Sequence, residues 1–239
     1  MRIAVLLLSI SLGLPSAAFS APEPEATFFY LAASDLDPIA SLPPSPGPTS
    51  PERLRDFAEL HRLQLIRSKA DCDRADYEEK VSIKRWFGDN YGPLSDAEAS
   101  RAKWFFLRIT IDSHHFIGQA KEHARRPRPF AVDPTLKPCI DRPGSYAYPS
   151  GHAALAWLTA RVLSEALPHR RAELAARGLA IGRDRALGGV HHPSDIAAGQ
   201  ILGDQLFEAL MKKPRFRADL QALKNSYNPT LRWLNAPLE

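Results

Sequence analysis

The chain has 239 residues, of which 44% are hydrophobic and 24% are charged, a composition typical of a globular protein rather than a disordered or fibrous one. Its 31 basic and 27 acidic side chains leave a formal net charge of +4, a balance that does not favour nucleic-acid binding. Two cysteines exclude a disulfide-dense scaffold and a four-cysteine zinc site.

The first twenty residues have the three-part pattern of a secretory signal peptide. Arg2 gives a basic start, residues 3–14 are mainly apolar, and the small residues that follow suit signal peptidase. A helix that spans a bilayer needs about 20 apolar residues, and this stretch is shorter. An uncleaved N-terminal anchor is the alternative. We therefore predict a signal peptide over 1–20 and a periplasmic or secreted mature protein with no stable membrane insertion.

The two cysteines are expected to pair in such an oxidising compartment. Cys72 and Cys139 are far apart in the sequence, so their disulfide would close a long loop and stabilise the fold by about 4 kcal/mol. Two buried free thiols are the alternative.

The remaining chain divides into a proline-rich extension over 21–51 and one all-α domain over 52–239, since no alternating strand pattern occurs. In the extension, the apolar residues 28–31 are expected to dock on the domain. Residues 130–149 are predicted to be a loop. The first predicted helix runs from Pro51 to about 65, and a second helical stretch ends at Gly88. A single long helix is predicted from the capping box at Ser95 to about 126. The remaining predicted helices span 151–167 and 169–187 and begin at about Pro193 and Pro214.

The first cluster of functional interest is a group of four cations at a predicted helix end: Lys121, Arg125, Arg126 and Arg128. Such a cluster is usually a solvated basic face. Here Lys121 and Arg125 share one helix face, and Arg128 lies beyond Pro127, where it can turn back toward them. Guanidinium groups grip phosphate with two parallel hydrogen bonds, so the group suits a multi-oxygen anion.

The second cluster is Pro149-Ser150-Gly151-His152, which opens a helix. A helix N-terminus presents free backbone N–H groups to an anion, Ser150 adds a hydroxyl, and Gly151 allows close approach to the backbone. His152 would then lie beside the anion as a proton donor. A solvated histidine at a helix start is the alternative.

The third cluster combines Arg185 with His191 and Asp195, four residues apart across a helix start. Asp195 can accept a hydrogen bond from one imidazole nitrogen, which leaves the other free as a nucleophile or base. The alternative is a capping aspartate beside two surface histidines. Together, the three clusters predict a phosphoryl-transfer site that needs no metal and no cofactor, in which positioning and charge stabilisation dominate.

These three blocks, in this order and spacing, resemble the signature of the type 2 phosphatidic acid phosphatase superfamily, which also includes the vanadium haloperoxidases. From about residue 70 to the C-terminus, the chain looks most like the bacterial class A non-specific acid phosphatases. The resemblance implies a single compact helical bundle, hydrolysis of a broad range of small phosphate monoesters, inhibition by vanadate as a phosphate mimic, and a homo-oligomer.

The resemblance also implies a role for each matching residue. His191 would be the nucleophile that forms a phosphohistidine, Asp195 would orient it, and His152 would protonate the leaving group. The implied phosphate ligands are Lys121, Arg128, Ser150, the Gly151 amide and Arg185.

One position departs from the family pattern, because Asp184 precedes Arg185 where the family usually has serine. A carboxylate aimed at the phosphate would repel it, at a cost of about 1–4 kcal/mol. We therefore expect Asp184 to point away and to pair with Arg183, Arg185, Arg125 or Arg126.

The sequence is also compatible with four other functions: a vanadate-dependent haloperoxidase, a lipid- or diphosphate-specific phosphatase, a non-catalytic phosphate binder, and a metal-dependent hydrolase. The binder is disfavoured because binding phosphate requires neither His152 nor the His191–Asp195 pair. The metal hydrolase would add some of His114, His115 or His123 to that pair.

Among the aromatic residues, Tyr146 and Tyr148 are expected at the mouth of the site. Trp86, Trp104 and Trp157 are expected in the core.

Overall fold

The computed structural model describes residues 28–228. The predicted signal peptide over 1–20 lies outside the described residues, as do residues 21–27 of the extension and 229–239 of the predicted domain. Between residues 28 and 228 all regular elements are helical, which confirms the all-α fold. None of the helices described is long and apolar enough to cross a membrane.

Short links, several of them containing proline, join the helices of the described chain, and two 3-10 turns occur at Ala33–Asp35 and Pro168–Arg170. The helices are α1 (Pro38–Ser41), α2 (Pro51–Ile66), α3 (Lys69–Tyr77), α4 (Ile83–Phe87), α5 (Asp96–Arg101), α6 (Lys103–Ala124), α7 (Pro129–Val132), α8 (Gly151–Ala166), α9 (Arg171–Leu187), α10 (Pro193–Met211) and α11 (Pro214–Tyr227).

The helix starts follow the capping signals in the sequence. Ser50 caps α2, Ser95 forms a capping box at α5, and the Ser150 hydroxyl accepts from the backbone N–H of Ala153 at the start of α8. Proline occupies the first turn of α10 and α11, where its missing N–H costs nothing. The predicted starts at Pro51, Pro193 and Pro214 are confirmed.

Two helices predicted as continuous are divided. The stretch before Gly88 is broken into α3 and α4, because side chains of α4 take the last carbonyl groups of α3: Arg85 donates to Tyr77 and Trp86 to Glu78. The long helix from Ser95 breaks at Ala102, whose N–H bonds three residues back in a tighter turn. The predicted loop over 130–149 begins inside the single turn of α7.

The core is built around α8, which packs mainly against α9 and α10. Glycines permit this close approach. A Cβ atom at Gly178 of α9 would lie 2.7 Å from the Ala160 Cβ, and one at Gly199 of α10 would lie 2.5 Å from the Ser150 carbonyl oxygen. At the same end of this contact, the Ser150 N–H donates to the Asp195 carbonyl group at 2.9 Å. The helix packing therefore brings two of the predicted functional segments together.

The N-terminal extension is docked on the helices, as expected for residues 28–31. Tyr30 and Leu31 are buried in the core, and the backbone N–H groups of residues 29–31 donate to the buried carboxylate of Asp112 on α6 at 2.7, 2.8 and 3.1 Å. Three backbone donors on one buried carboxylate satisfy its charge inside the protein. The extension is thus part of the folded body over its described length.

The three tryptophans have different environments. Trp86 is fully buried in the core, and Trp157 is partly buried, with its indole N–H donating to Asp204. The prediction for Trp104 is wrong, since it is 66% exposed. It lies on the outer face of α6, with the Lys103 ammonium 5.5 Å from its ring centroid.

Candidate active site

One cavity of about 210 Å³ collects most of the predicted functional residues. It opens where α8 begins, where α9 leads into α10, and beside the C-terminal end of α6. Six of the eight residues predicted for catalysis or phosphate binding line it: Lys121, Arg128, Gly151, His152, Arg185 and His191. The three sequence blocks therefore meet in one place.

The other two predicted residues, Ser150 and Asp195, are fully buried next to this cavity. Ser150 caps α8 and ties its start to Asp195 through the backbone. The Asp195 Oδ2 atom lies 3.3 Å from Nδ1 of His191. The carboxylate is thus behind the imidazole, on the side away from Arg128.

His191 is held between a carboxylate and a guanidinium. Its Nε2 lies 2.8 Å from Nη1 of Arg128, and a guanidinium group can only donate hydrogen bonds. Nε2 therefore carries the lone pair, and Nδ1 carries the proton that points to Asp195. Burial, together with the charge of Arg128, lowers the pKa of His191 well below 6.5, so the ring is neutral. This is the tautomer that a nucleophile at Nε2 requires.

Asp195 has a second imidazole partner that the sequence reasoning missed. His192 approaches the same Oδ2 atom with Nδ1 at 3.1 Å and donates its backbone N–H at 2.8 Å. Burial alone would raise the pKa of Asp195, but the hydrogen bonds from His191 and His192 hold it below its usual value. The carboxylate therefore stays charged behind the ring.

Two cations stand around His191, with their donors held by the loop that precedes α8. The Lys121 ammonium donates to the Tyr146 carbonyl group at 2.5 Å, and Arg128 donates to the carbonyl group and hydroxyl of Ser145 at 2.8 and 3.0 Å. Burial, followed by the charge of Arg128, lowers the pKa of Lys121 to about 7, and burial lowers that of Arg128 to about 10. An anion between these groups would relieve their mutual repulsion.

The third cation is Arg185, which is buried at the cavity wall. Its Nη2 donates to the Ala75 carbonyl group and lies 3.7 Å from the Glu78 carboxylate. Glu78 is fully buried and also pairs with Arg177 at 2.7 Å. Burial, followed by the charge of Asp184, raises the pKa of Glu78 to about 7. Glu78 is a neighbour of the site that sequence reasoning missed.

His152 lies in the first turn of α8, next to Gly151, and lines the cavity. Its Nε2 donates to the Glu79 carbonyl group at 2.9 Å, and its ring packs 5.4 Å from the Trp86 ring. A carbonyl oxygen only accepts, so the proton of the neutral ring is on Nε2. Burial, followed by the charge of Arg185, lowers the pKa of His152 to about 3. A bound anion would offset the charge of Arg185 and favour the protonated ring.

Asp184 points away from the cavity, as expected, but its predicted partners are wrong. Its carboxylate accepts two hydrogen bonds from Arg74 of α3, at 2.7 and 2.9 Å. Consecutive residues on a helix point about 100° apart, so Arg185 can face the cavity while Asp184 faces α3. The paired carboxylate raises the pKa of Arg74 above its usual value.

The two middle arginines of the first cluster separate. Arg125 is exposed and ends α6 with left-handed backbone, at φ 43°. The turn directs Arg126 inward, where its guanidinium donates to Asp195 at 2.6 Å and to Asp56 of α2 at 2.8 Å. No local pattern marks this contact, because Asp56 lies 70 residues earlier in the chain.

The two tyrosines have different environments. Tyr146 lies near the cavity, where its carbonyl group accepts from Lys121. Tyr148 is buried, and its hydroxyl donates to the Pro43 carbonyl group of the extension at 2.5 Å. It lines a separate cavity with residues of the extension and α6, so its placement at the mouth of the active-site cavity is wrong.

The remaining histidines lie elsewhere. His61 pairs with Asp133 at 2.9 Å, and the His115 ring packs edge-on against Phe28. Within residues 28–228, no three or more histidine, cysteine, aspartate or glutamate side chains are grouped to hold a metal ion.

The predicted disulfide is present in the structure. Cys72 of α3 and Cys139 are bonded, with their Cα atoms 5.8 Å apart. Cys139 opens the segment that carries Asp141 and Ser145, both of which line the cavity, while α3 leads directly to Glu79 on the facing wall. The bond therefore links two walls of the cavity.

The chain is similar in sequence to known proteins. The family model described as the PAP2 superfamily matches residues 104–215. A protein named non-specific acid phosphatase from Salmonella typhimurium is 31% identical over 198 residues, which cover 78% of each chain. Another of that name from Salmonella typhi is 29% identical over 220 residues, covering 83% of this chain and 87% of the relative.

Among solved structures, a bacterial vanadium-dependent iodoperoxidase superposes with a TM-score of 0.56 at 16% sequence identity. The match covers 72% of this chain and 52% of the peroxidase, and at this identity it is a likeness of fold alone. Sequence identity over most of the length, the family match and the fold agree with one another. The chain belongs to the PAP2 superfamily and, within it, to the non-specific acid phosphatases.

Proposed function

We propose that this protein is an acid phosphatase that hydrolyses a broad range of small phosphate monoesters through a phosphohistidine at His191, without a metal ion. The observation that carries this proposal is the arrangement around one imidazole. His191 is neutral, its Nε2 lone pair faces the cavity cations, and its Nδ1 proton points to Asp195. The phosphatase relatives support the reaction class.

Substrate binding is proposed to use the cations and the start of α8. Lys121, Arg128 and Arg185 line the cavity with the Gly151 backbone, and Ser150 caps the helix there. A helix N-terminus attracts anions through its free N–H groups and dipole. As the phosphate enters, Arg128 would exchange its hydrogen bond to His191 for hydrogen bonds to phosphate oxygens, which frees Nε2.

In the first chemical step, the Nε2 lone pair attacks phosphorus while the bond from phosphorus to the leaving oxygen breaks. The imidazole gains positive charge, which Asp195 stabilises through the Nδ1 hydrogen bond. His152 gives its proton to the leaving oxygen. Below about pH 6 a phosphate monoester is largely a monoanion, so the substrate can bring the proton that His152 transfers.

In the second step, a water molecule attacks the phosphohistidine. His152 takes the proton from that water, the phosphorus–nitrogen bond breaks, and the electron pair returns to Nε2. Inorganic phosphate leaves with the proton that His152 took from the water, and His152 returns to the neutral form it has in the free protein. Cations and backbone amides stabilise the charge on the phosphoryl oxygens in both steps, which is the main contribution to phosphoryl transfer.

We also propose a periplasmic or extracellular location. The disulfide between Cys72 and Cys139 supports this, because such bonds persist in oxidising compartments. The N-terminal sequence pattern over residues 1–20 points the same way.

The test is hydrolysis of p-nitrophenyl phosphate by the mature protein in EDTA, with His191→Ala as the matched variant. We expect turnover by the wild type between pH 4 and 7, inhibition by vanadate, and no turnover by His191→Ala. Rapid acid-free quenching with a ³²P-labelled substrate should trap label that is stable to alkali, as expected for phosphohistidine. Equal activity of the two proteins would overturn the assignment of the nucleophile.

A further inference from the structure

The guanidinium group of Arg126 lies in the interior, between two carboxylates. Arg126 is 2% exposed, and its Nη1 donates to Asp195 Oδ1 at 2.6 Å and to the Ser194 hydroxyl at 2.7 Å. Its Nη2 donates to Asp56 Oδ2 at 2.8 Å. Both carboxylates are buried, so this is an interior ion-pair network rather than a surface one.

Asp56 fixes the network to α2 and to the start of α10. Its Oδ1 accepts from the Ser194 backbone N–H at 2.9 Å, and its Oδ2 accepts from the Ser194 hydroxyl. Asp56 lies outside the segment 104–215 that matches the family model. A helix from before that segment therefore contacts the proposed catalytic machinery through the Asp56–Arg126 ion pair and the hydrogen bonds from Ser194.

The two oxygens of Asp195 have separate tasks. Oδ2 faces Nδ1 of His191 and also accepts from His192, while Oδ1 accepts only from Arg126 among the described residues. A carboxylate held at both oxygens cannot rotate about its Cβ–Cγ bond without losing a charge-assisted hydrogen bond. By holding Oδ1, Arg126 thus limits rotation of the carboxylate and keeps Oδ2 directed at the His191 ring.

We propose that Arg126, anchored by Asp56, is a positioning residue that fixes the Asp195 carboxylate and thereby the orientation of the His191 nucleophile. The inference rests on the proposed function, because it assigns Arg126 a role in the same reaction. Arg126 does not line the cavity and does not touch the phosphate. It acts through Asp195, as the outer partners of catalytic histidines and metal ligands commonly do.

The charge of Arg126 also has a consequence with a definite sign. Three charged or titratable groups contact Asp195: His191, His192 and Arg126. Asp56 contacts Arg126 on its other side, and the cavity cations Lys121 and Arg128 lie on the cavity side of His191. The Asp195 carboxylate favours the protonated form of His191, and Arg126 offsets part of that effect. Removing the positive charge should raise the pKa of His191, and removing the Asp56 negative charge should lower it.

The experiment compares Arg126→Gln and Asp56→Asn with the wild type and with Arg125→Gln, a neighbouring arginine that is exposed and outside the cavity. The readouts are kcat, KM and the pH dependence of kcat/KM for p-nitrophenyl phosphate. For Arg126→Gln we expect kcat to fall by about 10- to 100-fold with little change in KM. The acid limb should move up by about one pH unit in Arg126→Gln and down in Asp56→Asn.

Arg125→Gln should match the wild type in every readout. A folded Arg126→Gln protein with wild-type kcat, or one that changes only KM, would overturn the inference, as would acid limbs that stay in place in both variants. If Arg126→Gln does not fold, Arg126→Lys replaces it, because lysine keeps the charge but cannot bind Asp195 and Asp56 through two separate nitrogens. For Arg126→Lys we expect a lower kcat and an unchanged acid limb. A wild-type kcat in that variant would overturn the inference.

Failure of the proposed function gives a different result. In that case the wild-type protein itself hydrolyses no phosphate monoester at any pH from 4 to 8. The pKa of His191, measured by NMR in the wild type, Arg126→Gln and Asp56→Asn, would still report on Arg126. Identical His191 pKa values in all three proteins would overturn the inference without reference to activity.

Discussion

Lys121 and Arg128 place two positive charges beside each other in the cavity, seven residues apart across the end of α6. Burial and the charge of Arg128 together lower the pKa of Lys121 to about 7. Each cation therefore raises the free energy of the other, and a phosphate between them removes that repulsion. The same pair has a consequence for the pH dependence of the enzyme.

The alkaline limb of kcat/KM is expected near pH 7. Above its pKa, Lys121 loses the proton and no longer attracts the phosphate, so KM rises. In Lys121→Arg the guanidinium keeps its charge, and the alkaline limb should move to higher pH. Rates with p-nitrophenyl phosphate from pH 4 to 9 test this, and an alkaline limb that stays in place in the variant would show that another group titrates.

The acid limb of kcat/KM is expected to follow the protonation of His191. His191 must be neutral to attack, and its pKa is lowered by burial and by Arg128, so activity should persist well below pH 6.5 and fall only as the ring becomes protonated. Arg128→Gln should raise the His191 pKa and move the acid limb to higher pH, in addition to raising KM.

Asp195→Asn should lower kcat by about a thousandfold with little change in KM. An amide can present its NH₂ group to Nδ1 and stabilise the wrong tautomer, with the proton on Nε2. Asp204→Asn is the matched control, since Asp204 lies on the same helix and contacts Arg161 and Trp157 instead. Steady-state kinetics of both variants check this, and comparable losses in the two would point to general destabilisation of α10.

His152→Ala should affect substrates according to their leaving groups. A p-nitrophenolate leaves without a proton, whereas an alkoxide needs one, so the variant should lose about 100-fold in kcat with glycerol 2-phosphate and far less with p-nitrophenyl phosphate. His123→Ala, an exposed histidine on α6, serves as the control. Equal losses with both substrates would contradict the role of His152 as the acid.

The disulfide should contribute to both stability and activity. Cys72 and Cys139 are 67 residues apart, so replacing both by serine is expected to lower the free energy of unfolding by about 4 kcal/mol. The cavity wall that carries Asp141 would also lose one anchor, which should lower kcat/KM. Urea unfolding with and without dithiothreitol tests this, and dithiothreitol should have no effect on the double variant.

Two carboxylates that line the cavity should influence substrate choice. Glu79 and Asp141 face the same space as the cations, and burial, followed by the charge of Asp141, raises the pKa of Glu79. Asp141→Asn should raise kcat/KM about threefold for phosphate esters that carry a further negative charge, relative to p-nitrophenyl phosphate. Glu208→Gln makes the same charge change at an exposed site on α10 and should leave the ratio unchanged.

Much of the fold was predictable because the residues that begin a helix are recognisable from the local sequence. Ser95, Ser150 and Pro193 each carry a capping or first-turn signal in the residues that follow them, and each begins a helix. The breaks at Ala102 and after α3 were not predictable in this way. They depend on tight backbone turns and on carbonyl groups taken by side chains of the next helix.

The residues of the candidate site also fall into those predictable from local sequence and those that depend on tertiary packing. Lys121, His152 and His191 belong to short patterns with a chemical rationale, and the fold brings those patterns to one cavity. The role of Arg126 could not be predicted, because its partners are set by tertiary packing. Asp56 is 70 residues away in the sequence, and the left-handed turn at Arg125 determines the direction of the next side chain. The pairing of Asp184 with Arg74 escaped prediction for the same reason.

The close contact of α8 with α10 has a further consequence. At Gly199 the two helices approach until backbone meets backbone, without room for a methyl group next to the Ser150 carbonyl oxygen. The first turn of α8, which brings Gly151 and His152 to the cavity, is therefore packed directly against α10, and a larger residue at position 199 would displace it. Under the proposed function, substitutions in the segment from Asp141 to Ser145, which lines the cavity outside this helix contact, are expected to change the preference between phosphate esters with less effect on phosphate binding itself.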